Sequence, residues 1–327
     1  MTQAQPYDNP TAQKQHLSIE FLEEVLKSAF PERNVLGLTY CSGPSSYIVR
    51  TYFSFEDDAE SFYILKVSLI PGDLLAFEKA VIAYVSQEFP TPSVEKIGNY
   101  EGYEFSIQKL TKGIFLRDII EKKEEDLASV MGPVGNLLAK FRDIPFSKIG
   151  KLDSSLNVTQ VFTQVSMLKI METSLKDKTV IDKLGKPFVR QARILLNQFA
   201  CYFPDGSEKH LVHGSWNPDS IVMLKDDEGW RVIAVLNWEM SYSGSAAADV
   251  SCMLEGLQEC PEKYRTIFFK SLERGGLYLK DNWELTGQIT NLMLCLEELS
   301  DYYKSRYLYD FIGVCSIIKA LERNEVG

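Results

Sequence analysis

The sequence predicts an α+β fold in two parts, a strand-rich N-terminal part and a mainly helical C-terminal part. Before about residue 110 the chain is built of short runs rich in β-branched and aromatic residues, which are typical of strands. After it, apolar residues recur at spacings of three and four, as in amphipathic helices. One pair of strand-like runs lies inside the helical part, in "SIVMLKDDEGWRVIAVLNWE", and the turn at Asp226 to Gly229 predicts a β-hairpin.

Three segments follow from this pattern. Residues 1–16, "MTQAQPYDNPTAQKQH", are polar, which predicts a disordered tail. Residues 17–109 form the predicted N-lobe, and residues 110–327 form the predicted C-lobe. A hinge is expected near Gln108 to Thr111, where the strand-like pattern stops.

The predicted N-lobe is an antiparallel sheet with helices. A helix is expected over 18–30, because apolar residues follow the N-capping Ser18 at helical spacing. Two strands joined by "CSGPSS" come next, then the strand "SFYILKVSL" and the helix "PGDLLAFEKAVIAYVSQ". Two more strands turn near Asn99 to Gly102. In the C-lobe, residues 155–200 and 249–322 are predicted to be mainly helical.

Composition excludes several classes of protein. The formal net charge of −10 argues against nucleic-acid binding, which needs a basic face, and is compatible with a cationic ligand. The sequence has no apolar run of transmembrane length and no apolar segment of a signal peptide, so we expect a cytoplasmic protein without a membrane partner. The six cysteines include no C-x-x-C pair, which argues against a zinc site.

A lysine inside an apolar strand is the first candidate functional residue. An unpaired buried ammonium is costly, so Lys66 needs a partner, and Glu78 on the next helix is suitably placed in sequence. Such a pair can orient the ammonium towards the phosphates of a nucleotide. It can equally be a partly exposed structural ion pair, and the two interpretations remain open at this point.

The remaining motifs resemble a known family. The segments "HGSWNPDSI", "VLNWE" and "GSAAAD" follow one another in the order and spacing of the aminoglycoside phosphotransferase and choline kinase-like family, a branch of the protein-kinase-like fold. The matching residues of these blocks are His213, Gly214, Pro218, Ile221, Leu236, Trp238, Glu239, Gly244 and Asp249. "ILKV" around Lys66 and "FEKAVIAYV" around Glu78 look like the family's strand lysine and its glutamate partner. The resemblance implies a two-lobed kinase-like fold that binds ATP.

Three positions depart from the family pattern, and all three carry its chemistry. The resemblance places the family's catalytic aspartate at Ser215, its metal-binding asparagine at Ser220 and its principal magnesium aspartate at Asn237. Serine is not a base near neutral pH, and a positioned general base contributes about 10²–10⁴-fold to rate. Mg²⁺ prefers anionic oxygen ligands, which neither Ser220 nor Asn237 supplies. We therefore expect a pseudokinase, a kinase-like fold that binds or scaffolds, with Mg²⁺ binding in doubt.

The other site positions follow from the resemblance. His213 and Asp249 are expected to hold the structure of the catalytic-type loop. Nucleotide contacts are expected from the Gly/Ser turn and from the hinge, namely Gly43, Ser46, Gln108 and Leu110. Pro44 removes one backbone donor from that turn, although a serine-rich turn is common in the family. Asp219 and Glu239 are carboxylates near the loop and are expected to be solvated or structural rather than substitute ligands.

Two alternatives remain beside the pseudokinase. The first is an atypical ATP-dependent phosphotransferase, or another nucleotide-using transferase, acting on a small cation or a peptide; it is favoured by the retention of Lys66, Glu78, His213 and Asp249. The second is a small-molecule or peptide binder whose C-terminal helix forms a cation-attracting wall of acids and tyrosines. The wall residues are Glu297, Glu298, Asp301 and Tyr302. The competing interpretation of this stretch is an ordinary amphipathic helix.

Overall fold

The computed structural model describes residues 17–40, 48–122, 127–256 and 262–301. Within these ranges the chain has the predicted α+β composition, with an antiparallel sheet first and helices after it. No helix in the described ranges is long and apolar enough to cross a membrane. The predicted tail, residues 1–16, lies outside the described residues.

A five-stranded antiparallel sheet forms the N-terminal part, in the order β1-β2-β3-β5-β4. The predicted helix and strands are all present, and β4 and β5 turn at the expected place. The strands are β1 (Val35–Tyr40), β2 (Ile48–Phe55), β3 (Asp58–Ser68), β4 (Ser93–Tyr100) and β5 (Tyr103–Thr111). The helices beside them are α1 (Ile19–Ala29) and α2 (Leu74–Val85).

The period of two along each strand separates an apolar face from a functional face. Helix α1 begins after Ser18, whose side chain accepts a hydrogen bond from the Phe21 N–H, and it covers the apolar face. Tyr63, Leu65 and Val67 of β3 point to that face. The alternate residues therefore lie on the other face, so that Lys66 stands directly opposite Arg50 of β2.

The C-terminal part is mainly helical, and the predicted hairpin is present. It is formed by β10 (Ile221–Asp226) and β11 (Gly229–Val235), with β6 (Ile114–Phe115) added to one edge. The helices are α3 (Leu116–Lys122), α4 (Leu127–Ala139), α5 (Gln164–Ser174), α6 (Lys178–Leu184), α7 (Lys186–Phe199), α8 (Ala247–Gly256), α9 (Glu262–Arg274) and α10 (Trp283–Asp301).

One element was missed by the sequence interpretation. A small antiparallel sheet joins β7 (Gly150–Leu152), β8 (Val158–Val161), β9 (His210–Val212) and β12 (Tyr242–Gly244) in the order β8-β7-β12-β9. The prediction that residues 155–200 are mainly helical is confirmed by α5, α6 and α7, but it did not include the short strand β8. Strands of three or four residues carry too little periodicity to be recognised, and their pairing is long-range in sequence.

Two apolar cores support the C-terminal part. The first packs α4 and α9 against the hairpin and against α2, and it contains the fully buried Trp216 and Trp238. The second joins α5, α6, α7 and α10. Because α2 shares the first core, the helix that carries Glu78 is fixed to the same apolar mass as the catalytic-type loop.

Candidate active site

The loop that follows β9 is held in shape by one buried carboxylate. Asp249, at the start of α8, accepts hydrogen bonds from the backbone N–H groups of His213 at 2.7 Å and Gly214 at 2.9 Å. Gly214 has a positive φ of 77°, and a Cβ atom there would lie 2.2 Å from the Met240 carbonyl oxygen. Only glycine suits both the dihedral and the space. The structure thus brings together the two residues that sequence reasoning expected to shape this loop.

His213 is a neutral structural histidine in this arrangement. Its Nε2 lies 2.8 Å from the Leu236 carbonyl oxygen, to which it donates, and its Nδ1 accepts from the Ser215 N–H at 3.2 Å. Its ring packs edge-on against Trp238, with ring centroids 4.7 Å apart. Burial lowers the pKa of His213 to about 4, because the apolar surroundings disfavour the charged imidazolium. Burial also raises the pKa of Asp249 to about 7, against the opposing effect of its backbone donors.

The three departures from the family pattern lie close together and share one hydrogen-bond network. Asn237 donates from Nδ2 to Ser220 Oγ at 2.9 Å, and Ser220 Oγ donates to Asn217 Oδ1 at 3.4 Å. Asn217 in turn donates from Nδ2 to Ser215 Oγ at 3.3 Å. Every side chain of this network is neutral, so positions 215, 220 and 237 carry no charge in this chain.

This network contains a residue that sequence reasoning overlooked. Asn217 bridges Ser215 and Ser220, and its Oδ1 also accepts from the Asp219 N–H at 2.9 Å. The sequence feature that could have identified Asn217 is its amide side chain, two residues after Ser215 in the His213–Gly214 loop. The amide oxygen of Asn217 is thus engaged by two donors within the loop.

The donor set does not fit Mg²⁺. A magnesium ion needs hard, preferably anionic oxygens in octahedral geometry, and the amide and hydroxyl groups of Asn237 and Ser220 bind each other. Asp219 is no substitute, because it forms a bidentate pair with Arg117 at 3.0 and 3.2 Å. Within the described ranges, no three His, Cys, Asp or Glu residues are grouped so that they could hold a metal ion.

On the sheet side of the site, Lys66 lies in a buried charged cluster. Its Nζ is 2.5 Å from Glu78 Oε1, so the predicted partner is the observed one. The same ammonium is 3.0 Å from Glu239 Oε2, and Glu78 Oε2 accepts from Gln108 Nε2 at 2.8 Å. Lys66, Glu78 and Glu239 are each at most 3% exposed. The alternative of a partly exposed pair is therefore wrong.

Glu239 has a second cationic partner, Arg50. The Arg50 guanidinium donates to Glu239 Oε1, so that the carboxylate lies between two cations of the sheet. The sequence analysis expected Glu239 to be solvated or structural, and the structure makes it structural. Arg50 was not predicted, although the reasoning applied to Lys66 applies to it as well: it is a charged residue in the middle of an apolar strand.

The two carboxylates of this charged cluster titrate in opposite directions. Burial raises the pKa of Glu78 to about 7, with Lys66 opposing that shift. Burial would raise the pKa of Glu239 as well, but the combined attraction of Lys66 and Arg50 holds it well below its usual range. The charged form is thus favoured more strongly at Glu239, the carboxylate with two cationic neighbours.

The side chains of the predicted hinge residues Gln108 and Leu110 are both buried. Gln108 does not face a hinge cleft, since its side chain is buried beside Glu78. Leu110 belongs to an apolar cluster that joins the sheet to the hairpin. The buried members of this junction cluster, each at most 7% exposed, are Ile64, Leu110, Val222, Ala234 and Leu236. Tyr52 and Phe115 pack against it, with ring centroids 5.5 Å apart.

A cleft of about 740 Å³ opens on the other side of Glu239. It is bounded by the N-terminus of α2, by β7 and β8, and by the end of α10. Two residues of the predicted acidic wall, Glu297 and Glu298, line it, and Lys151 pairs with Glu297 at 2.8 Å. Asp301 ends α10, whereas Tyr302 lies outside the described residues, as do Gly43 and Ser46 of the Gly/Ser turn.

The fold is that of a kinase-like phosphotransferase. It combines an antiparallel sheet that carries a Lys–Glu pair with a helical part in which a His-Gly loop lies beside a hairpin. Residues 42–284 match the model of the phosphotransferase enzyme family APH, and the chain belongs to this family. A comparison with curated protein sequences finds no match.

Solved structures support the same fold at low sequence identity. A thermostable mutant of aminoglycoside phosphotransferase APH(4)-Ia, in a ternary complex with ADP and hygromycin B, superposes with a TM-score of 0.60 at 18% identity, covering 94% of this chain and 99% of that one. The GDP complex of aminoglycoside 2'-phosphotransferase-IIIa gives 0.62 at 12% identity, covering 93% and 98%. Macrolide 2'-phosphotransferase MphH from Brachybacterium faecium gives 0.58 at 14% identity, covering 90% and 96%.

Proposed function

We propose that this chain is a pseudokinase of the phosphotransferase family, which binds a ligand without transferring a phosphoryl group. The observation that carries the proposal is the neutral network Ser215–Asn217–Ser220–Asn237. It replaces the base and both metal ligands of the family pattern with mutually hydrogen-bonded neutral groups. Phosphoryl transfer depends on metal ions that neutralise developing charge, and this site offers them no anionic ligand at those positions.

The nearby carboxylates support the proposal because each has another task. Asp219 is bound to Arg117, Asp249 accepts the backbone donors of the loop, and Glu239 is held by Arg50 and Lys66. None can act as base or metal ligand without giving up those partners. Breaking a buried ion pair costs about 3–5 kcal/mol, so recruitment of Glu239 is strongly disfavoured.

We place the ligand, a small molecule or a peptide, in the cleft of about 740 Å³. Carboxylates are frequent on its surface: Asp73, Asp153, Glu297 and Glu298 line it together with Lys151. A cationic ligand suits this lining better than an anionic one. The solved relatives bind an aminoglycoside antibiotic, hygromycin B, or are named for acting on aminoglycosides and macrolides, which agrees with a small-molecule ligand.

The test is turnover of the wild-type chain. We expect no metal-dependent transfer from ATP to hygromycin B, a macrolide or choline, measured as ADP formation with Mg²⁺ or Mn²⁺. The triple variant Ser215→Asp, Ser220→Asn and Asn237→Asp restores the family groups and is the positive comparison. Metal-dependent turnover in the wild type that disappears in Lys66→Ala would refute the proposal.

The alternative function is an atypical phosphotransferase or other nucleotide-using transferase. Retention of the Lys66–Glu78 pair at 2.5 Å favours it, because this pair positions nucleotide phosphates in kinases. Calorimetry with ATP, with and without divalent metal, separates the two functions. Absence of nucleotide binding under both conditions would remove the alternative, while leaving a binding role for the cleft intact.

A further inference from the structure

The charged cluster has the geometry of an anion site that is already filled. Arg50 and Lys66 stand opposite each other on adjacent strands, on the same face of the sheet. The Glu239 carboxylate contacts both, with Oε1 towards Arg50 and Oε2 towards Lys66. Two cations that converge on one carboxylate from a rigid sheet form a preorganised receptor for an oxyanion.

The occupant of this site comes from the other part of the molecule. Glu239 lies in the turn of 3₁₀ helix that follows the hairpin, Trp238–Met240, 173 residues after Lys66 in the chain. Residue Glu239 also lines the cleft, but its side chain is 0% exposed and is enclosed with the buried Arg50 and Lys66. The carboxylate therefore fills the space between the two cations.

Charge balance explains why the site holds its own anion. Arg50 and Lys66 contribute two positive charges, and Glu78 and Glu239 contribute up to two negative ones. Removal of Glu239 alone would leave two buried cations with only Glu78 to offset them. An uncompensated buried charge is costly, so an oxyanion from solution would be bound there.

We propose that Glu239 is an internal competitor for phosphate, which closes a metal-independent polyphosphate site made by Arg50 and Lys66. In the wild-type chain its carboxylate takes the place of a phosphate group between the two cations. The site therefore accepts an external polyphosphate only when Glu239 is displaced or removed. This inference rests on the proposed function, because it concerns what the retained lysine does in a chain without phosphotransfer.

The ligand that the site would take is a diphosphate group without a recognised base. Four members of the junction cluster, Ile64, Val222, Ala234 and Leu236, are each only 1% exposed, so they offer almost no surface for a base to stack on. Pyrophosphate should therefore bind about as tightly as ADP. This equality distinguishes an oxyanion site from an ordinary nucleotide site.

Chemical rescue tests the proposal. Glu239→Ala removes the carboxylate and opens the space that it fills, and the probes are pyrophosphate and ADP with a chelator and no divalent metal. We expect each probe to bind the variant at least about tenfold more tightly than the wild type, because one charge-assisted hydrogen bond supplies a factor of that size. Each probe should also raise the Tm of the variant. Calorimetry and thermal unfolding give the two readouts.

Glu78→Ala is the matched control. It removes one carboxylate from the same buried cluster, but Glu239 stays between Arg50 and Lys66. We expect no gain in probe binding. A second control, Glu239→Ala combined with Lys66→Met, should lose the gain because one of the two cations is absent.

Several outcomes would overturn the inference. They are a folded Glu239→Ala that binds no better than the wild type, an equal gain in Glu78→Ala, or metal-free binding by the wild type that Lys66→Met abolishes. ADP binding far tighter than pyrophosphate binding would also overturn it, because a base would then be recognised.

If Glu239→Ala does not fold without anions, the isosteric Glu239→Gln is compared with the wild type in the same way. Turnover by the wild type would refute the proposed function, but the metal-free binding of pyrophosphate and ADP to the wild type and the variant could still be compared.

Discussion

The two sides of the site, the charged cluster beside the sheet and the neutral network in the loop, are both hydrogen-bonded, yet they differ in charge and in burial. Beside the sheet, the buried Arg50, Lys66, Glu78 and Glu239 form direct ion pairs. In the loop, the buried Ser215, Ser220 and Asn237 and the half-buried Asn217 form a chain of weaker, neutral contacts. Their hydrogen bonds show that each side is an organised part of the molecule.

This difference indicates which side of the site contributes more to the stability of the fold. The charged side bridges the sheet and the segment after the hairpin, so its loss should damage folding. On the neutral side, Asp249 and Gly214 hold the backbone of the loop in shape. The comparison therefore separates a charged side, on which we expect stability to depend, from a loop side whose side chains at 215, 220 and 237 are neutral.

The largest expected effect is on the charged side. Glu239→Ala leaves Arg50 and Lys66 without their shared partner, and we expect the free energy of unfolding to fall by about 3–5 kcal/mol. Urea unfolding followed by circular dichroism measures the loss. The control is Asp219→Ala, which breaks a partly exposed pair with Arg117 and should cost under about 1 kcal/mol. Equal losses in the two variants would contradict the structural role given to Glu239.

The pH dependence of stability tests whether His213, in the loop, is held neutral in the folded chain. The pKa of His213 is about 4 in the folded chain and about 6.5 when unfolded, so the unfolded state takes up the proton first as the pH falls. Between pH 6.5 and 4 the wild type should lose about 3 kcal/mol more than His213→Asn. Glu78 and Asp249 titrate in both proteins, and their contributions cancel in the difference. Parallel stability curves would show that His213 is not held neutral.

A smaller effect is expected from the backbone of the loop. Gly214→Ala forces an alanine to a φ of 77° and places its Cβ against the Met240 carbonyl. Gly206→Ala has a similar φ of 82° but open space around the new Cβ, so it isolates the cost of the dihedral. We expect Gly214→Ala to be less stable than Gly206→Ala by about 1–3 kcal/mol, measured by thermal unfolding. If the two variants have the same Tm, a Cβ atom at position 214 does not clash with the Met240 carbonyl.

The smallest effect is expected within the neutral network. Ser220→Ala removes the acceptor of Asn237 Nδ2 and the donor to Asn217, and we expect a loss of about 1 kcal/mol in chemical unfolding. The loop should survive, because Asp249 still accepts its backbone donors. A loss as large as that of Glu239→Ala would remove the contrast between the two sides.

Much of this site could be predicted from the sequence. The family pattern located the loop, Asp249 and the Lys66–Glu78 pair, and local periodicity located the sheet, the hairpin and most helices. Asn217 and Arg50 were missed, because nothing local distinguishes a bridging amide or a strand arginine from a solvated one. Gln108 was assigned to a nucleotide contact, whereas its direction depends on the register between β3 and β5, where Ile64 stands opposite it.

The sequence by itself determined the charge of the loop: the residue types at 215, 220 and 237 are neutral in any conformation, and no fold can make them carboxylates. Only the tertiary structure decided what the remaining charges do. Glu239 becomes the partner of Arg50 and Lys66 because strand pairing aligns the two cations on one face and the shared apolar core brings the segment after the hairpin to them. Contacts between residues 173 and 189 positions apart depend on that packing, which local sequence patterns do not encode.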